Sequence, residues 1–185
     1  MKVVGVSCSP RKGGNSEILV SEALKGAEAK GAETVFISLA GKNIKGCNAC
    51  PKCGAAGKCA INDDMQEIYP ILESADAIIV ASPVYFGMYN AQTKAFLDRN
   101  YYLLKSGGKL AGKVGGVITV GGRSGHDFTA VAMMEALTLY GMYLPPNAFA
   151  ESMSRELGAA ATEEKAMNAA KALGERVADL AAKLK

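Results

Sequence analysis

Two rhythms of apolar and polar positions alternate along the chain. Short β-branched runs at residues 2–7, 33–38, 76–82 and 114–121 read as strands bounded by turn residues. Ile78-Ile79-Val80 is apolar without interruption, which predicts a strand covered on both faces, as in a parallel sheet. A fifth strand is expected around 142–149, confined to an edge or to its start by Pro145-Pro146. Between these runs the period lengthens. In 15–30, Leu19, Val20, Ala23, Leu24 and Ala27 form one apolar stripe of a helix. Further helices are predicted at 63–75, 90–104, 124–140 and 162–185. The second opens on Asp63 and Gln66 in a capping-box arrangement and is expected to bend at Pro70.

This β-α-β-α alternation implies right-handed crossovers and a doubly wound α/β domain with ligands at the carboxyl ends of its strands. Five parallel strands suggest the flavodoxin-like order 2-1-3-4-5, with residues 1–185 forming a single domain and no internal repeat. One segment breaks the rhythm. Residues 40–62 follow neither period and hold Gly, Lys, Asn and four of the five cysteines. A long irregular insert of this kind inside a compact domain points to function.

Composition narrows the function classes. At 49% apolar and 21% charged residues, the chain suits an ordinary globular core. A net charge of +3 with scattered lysines and arginines argues against nucleic acid and a membrane surface. No apolar run approaches a membrane span and no signal peptide is evident, so a cytoplasmic protein is expected. There a disulfide framework is disfavoured, and clustered thiols read as metal ligands or redox groups. The single histidine, His126, rules out a histidine-rich metal site and reads as a surface residue in a glycine loop.

Three strand ends carry candidate binding chemistry. The first is Cys8-Ser9-Pro10-Arg11-Lys12-Gly13-Gly14-Asn15-Ser16, running into a helix. A helix N-terminus suits a phosphate, and Ser9, Arg11, Asn15 and Ser16 add hydroxyl, guanidinium and amide donors. Neither a Walker A loop nor a G-x-G-x-x-G fingerprint is present at this turn, which leaves a monophosphate. The third strand ends in Pro83-Val84-Tyr85-Phe86-Gly87, where backbone groups could line a flat ring and an aromatic side chain cover it. An aromatic cap on the core or a subunit contact is the alternative. The fourth ends in Gly121-Gly122, glycines that suit close approach to a ligand and equally describe a plain loop. Together the three turns make a shelf suited to FMN at the switch point of the sheet.

These residues resemble a known family. Ser9-Pro10-Arg11 with Gly14-Asn15-Ser16, then Ser82-Pro83-Val84-Tyr85 and Lys94-Ala95-Phe96-Leu97-Asp98-Arg99, are similar to the NAD(P)H-dependent FMN reductases over roughly residues 1–150. Lys94, Asp98 and Arg99 read as a helix-surface charge set without a chemical role.

The cysteines follow C-x2-C-x2-C-x5-C: Cys47, Cys50, Cys53 and Cys59. Structural zinc usually takes two separated C-x2-C knuckles, whereas here the middle cysteine belongs to both steps. The spacing favours one [4Fe-4S] cluster over zinc. Lys45, Lys52 and Lys58 would stabilise an anionic cluster or attract an acidic partner, unless they are only a solvated loop face. Cys8 reads as a small buried residue.

A compact cysteine motif after the second strand of such a domain resembles the iron–sulfur flavoprotein family. That resemblance implies FMN plus one [4Fe-4S] cluster, a homodimer or homotetramer that brings them together, a ferredoxin-like electron donor and a small-molecule acceptor. It implies an electron-transfer oxidoreductase, with no acid, base or nucleophile assigned. Two other readings stay open: an NAD(P)H-dependent FMN or quinone reductase, and a zinc-stabilised FMN-binding module without catalysis.

Overall fold

The computed structural model describes residues 1–185 except for the side chain of Ala55. The sheet contains β1 (Lys2–Ser7), β2 (Glu33–Ser38), β3 (Ala77–Tyr85), β4 (Met88–Tyr89), β5 (Val114–Val120) and β6 (Phe149–Ser152). Its order is β2-β1-β3-β5-β6, every neighbouring pair parallel, with β4 attached to the end of β3 as a short antiparallel hairpin. The fold is flavodoxin-like α/β.

Burial follows from the pleat. Along β3, Ile78 and Val80 face a layer with Met65, Leu72, Phe96 and Met133. Ala77, Ile79 and Ala81 face the opposite layer with Leu19, Val20, Leu173 and Val177. The continuous apolar run is therefore split residue by residue between two cores. The first layer comes from α3 (Met65–Ser74), α4 (Ala91–Arg99) and α6 (His126–Leu139); the second from α1 (Asn15–Glu28) and α7 (Glu164–Lys183). Two short helices, α2 (Lys52–Ala56) and α5 (Tyr101–Lys105), and a 3₁₀ turn at Ala159–Thr162 complete the chain. Helices α1 and α7 touch backbone to backbone: a Cβ on Gly174 would lie 1.7 Å from the Ala23 carbonyl oxygen.

Four expectations need correction. The last strand lies past the prolines, at Phe149–Ser152, and only Tyr143 of the expected stretch bridges to Val114. Proline supplies no ladder N–H, so pairing resumes beyond the pair. The helix expected at 90–104 divides at Asn100 into α4 and α5. The cysteine insert contains helix α2, too short to declare a period in the sequence. Finally, Asp63 and Gln66 form no reciprocal capping box. The Gln66 amide donates to the carbonyls of Cys59 and Ile61, at 3.1 and 2.7 Å, and fastens the end of the cysteine loop to α3.

Candidate functional site

A cleft of about 490 Å³ opens at the carboxyl ends of β1, β3 and β5, where the topology places a ligand. Its walls include Ser9, Arg11, Asn15, Ser16, Pro83, Val84, Tyr85, Phe86, Gly121 and Gly122. Ten of the eleven residues singled out in the sequence thus meet in one place. Gly87 stays outside the lining.

The first wall is the β1–α1 turn. Gly14 stands at the helix N-cap in extended conformation, leaving the first amides of α1 without intrahelical partners. The Ser9 hydroxyl accepts the Arg11 N–H at 3.1 Å and keeps its own proton to donate. Asn15 differs from expectation. Its amide nitrogen donates to the carbonyls of Ser154 and Glu156 at 3.2 and 2.8 Å, and its oxygen accepts the Ala160 N–H at 3.2 Å. Both amide protons are spent, so Asn15 shapes the wall without offering a phosphate donor.

The second wall is the β3–β4 hairpin, a two-residue turn formed by Phe86 and Gly87. Both have positive φ, 51° and 80°, as a type I′ turn requires. Gly87 adopts this freely, whereas Phe86 is held there against its preference, with its ring fully exposed at the mouth of the cleft. Behind the hairpin lies a buried polar network. Asn90 caps α4 by accepting the Thr93 N–H at 3.0 Å and donates to the Cys8 carbonyl at 3.1 Å. The Thr93 hydroxyl donates to Ser82 Oγ at 2.8 Å. This network ties the ends of β1 and β3 together. Cys8 is wholly buried within it, and burial pushes its thiol up to about 12, only partly offset by Thr93.

The third wall holds the residues the sequence reading missed. Val120, Arg123, Ser154 and Arg155 also line the cleft. Glu163 fixes the segment that leads into Ser154: it accepts from Ser152 Oγ at 2.6 Å and Ser154 Oγ at 2.8 Å. Burial works to raise the Glu163 carboxyl, but these hydroxyls, the Met153 N–H and His126 together hold it below the usual range. A Cβ on Gly122 would lie 2.6 Å from Arg155 Cβ, and one on Gly121 3.1 Å from Val84 Cβ. Packing of the walls already accounts for both glycines. His126 is buried, not a surface residue: Nε2 lies 3.0 Å from the Gly121 oxygen and 3.1 Å from that of Ser152. One donated proton there links the ends of β5 and β6.

The cleft fits FMN. Its volume suits a mononucleotide; a helix N-terminus with Ser9, Ser16 and Arg11 suits the phosphate, and the aromatic hairpin suits a planar ring.

The cysteine loop lies elsewhere. All five cysteines are free; Cys47 is exposed, Cys50 and Cys59 are half-buried and Cys53 is buried. Among the described residues, no three Cys, His, Asp or Glu side chains gather as a metal set. The donors themselves, four free thiols within thirteen residues, are of the kind that holds an iron–sulfur cluster. Beneath the loop sits Arg99, which the sequence reading left on a helix surface. Only Lys94 and Asp98 form that surface pair, at 2.5 Å. The Arg99 side chain is fully buried against Asp63, also fully buried, at 2.5 and 3.0 Å. Burial alone would raise the Asp63 carboxyl; the Arg99 hydrogen bond and the Lys45 N–H outweigh it and hold the carboxyl low.

No described helix is long and apolar enough to cross a membrane. The model of the NADPH-dependent FMN reductase family matches residues 1–156. An iron–sulfur flavoprotein of Methanosarcina thermophila is 40% identical over 144 residues, 77% of this chain and 75% of that protein. Another, of Methanocaldococcus jannaschii, is 47% identical over 132 residues, 71% and 68% of the two chains. Among solved structures, a flavodoxin from the domain Archaea superposes with a TM-score of 0.66 at 19% identity, covering 98% of this chain and 99% of its own.

Proposed function

The chain belongs to the iron–sulfur flavoproteins of the NADPH-dependent FMN reductase family and is a flavin-dependent oxidoreductase, and from that premise we propose that it pairs FMN with one [4Fe-4S] cluster to pass electrons from a ferredoxin-like donor to a small acceptor. The observation that carries this reading is one cleft lined jointly by the β1, β3 and β5 turns together with a separate loop of four free thiols. FMN would supply one- and two-electron chemistry and the cluster one-electron chemistry.

The protein's part is placement. Ser9, Arg11, Ser16 and the amides of α1 would hold the phosphate, and Tyr85 and Phe86 would cover the ring. Cys47, Cys50, Cys53 and Cys59 would hold the cluster. Among the described residues no cysteine lines the cleft, and the loop rests on Arg99, at the opposite end of α4 from Asn90. Nine helical residues separate these positions by roughly 13 Å. A homodimer or homotetramer would bring one subunit's cluster to another's flavin. Phe86, Phe128 and Val131, apolar and exposed on the hairpin and α6, suit such a contact.

Anaerobic rapid mixing tests the donor. Chemically reduced ferredoxin is expected to bleach the flavin band, while NADPH at the same concentration leaves it oxidised over the same time. Rapid bleaching by NADPH and none by ferredoxin would establish the reductase reading instead.

A further inference from the structure

Arg99 is costly where it stands. A buried ion pair is often no more stabilising than apolar residues of the same volume, so its hydrogen-bonding geometry calls for an account. Nη1 donates to the Lys45 carbonyl at 3.0 Å as well as to Asp63. Nη2 donates to Asp63, to the Ile61 carbonyl at 3.4 Å and to Cys59 Sγ at 3.4 Å. Lys45 lies two residues before the first clustered cysteine and Ile61 two residues after the last. One planar guanidinium therefore clasps both ends of the cysteine loop and points an N–H at one of its sulfurs. Asp63 reinforces the clasp by accepting the Lys45 N–H at 2.9 Å.

We propose that Arg99 is the positioning residue of the cysteine loop: it closes the two ends and gives Cys59 an N–H···S hydrogen bond that raises the cluster's reduction potential. This rests on the cluster assigned above. Hydrogen bonds to ligand sulfurs withdraw negative charge and favour the reduced state of an iron–sulfur centre. The rigid fork is essential to the sulfur contact, because a lysine ammonium could keep the charge beside Asp63, which still holds the Lys45 end of the loop, but could not also reach Cys59.

The test is anaerobic spectroelectrochemistry of the full chain and its R99K variant, with iron, acid-labile sulfide and flavin assayed per chain. R99K is expected to hold wild-type iron and sulfide while the equilibrium constant for one-electron reduction of its cluster falls about tenfold, about 59 mV, with the flavin couple unmoved. Wild-type loading with an unmoved cluster potential overturns the proposal, and an equal shift in both couples does the same. Should R99K fail to fold, the double variant D63N/R99Q, which buries no charge, decides by the same titration. In that variant, iron loss from a chain of native circular dichroism supports the clasp; full loading at the wild-type potential refutes it. Absence of acid-labile sulfide from the wild type would instead refute the cluster assignment itself.

Discussion

At the scale of single residues, most of the polar groups near the cleft serve its walls. Asn15 illustrates this: sequence placed it correctly beside the turn, but its amide is consumed by Ser154, Glu156 and Ala160. Glu163 has the same kind of role and yields a pH prediction. Its folded carboxyl titrates below the ordinary 4.5, so its stabilisation is complete above that value and fades as pH falls through the folded one. E163Q is expected to cost about 1.5–3 kcal/mol at pH 7, as for hydrogen bonds to a charged group, with the gap to wild type closing in acid. Urea unfolding of the flavin- and metal-free chains at pH 7 and below pH 4 checks it; a gap independent of pH would contradict the assignment. Ser9, Arg11, Pro83, Val84, Tyr85 and Phe86 were legible because turn chemistry after a strand is local. Arg155 was not, since only the fold brings its carbonyl under the Arg11 guanidinium across 144 positions of sequence. His126 and Arg99 misled for a related reason: polarity suggests surface, and only the fold supplies the carbonyls and carboxylate that permit burial.

Among the elements, strands and long helices were legible where periodicity was strong, and ends failed where one residue overrode the pattern. Pro145-Pro146 displaced β6, and Asn100 divided a helix in two. The α1–α7 seam left a faint signal in its alanines and glycines, but its closeness is a tertiary fact. With the Ala23 carbonyl occupying the space of a Cβ, G174A must push two helices apart. The expected loss is about 1–3 kcal/mol, read from the urea midpoint at unchanged slope. A neutral result would mean the helices are less tightly joined than described. Since α1 follows the first wall of the cleft and α7 carries the neighbours of Glu163, looseness in this seam would also reach the cleft.

For the whole molecule, fold and function separate cleanly. The doubly wound sheet was legible because parallel strands covered on both faces announce themselves as unbroken apolar runs, and that sheet fixes where a ligand can sit. The cysteine spacing was equally plain, whereas the clasp beneath it was not, because Asp63 and Arg99 lie 36 positions apart in different helical neighbourhoods. Anaerobic purification followed by assay of flavin, iron and acid-labile sulfide decides whether the chain carries both redox groups. One FMN and one four-iron, four-sulfide cluster per chain are expected, with the cluster lost and the flavin retained when Cys53 is replaced by alanine. A colourless protein carrying zinc, or a flavoprotein without sulfide, would contradict it.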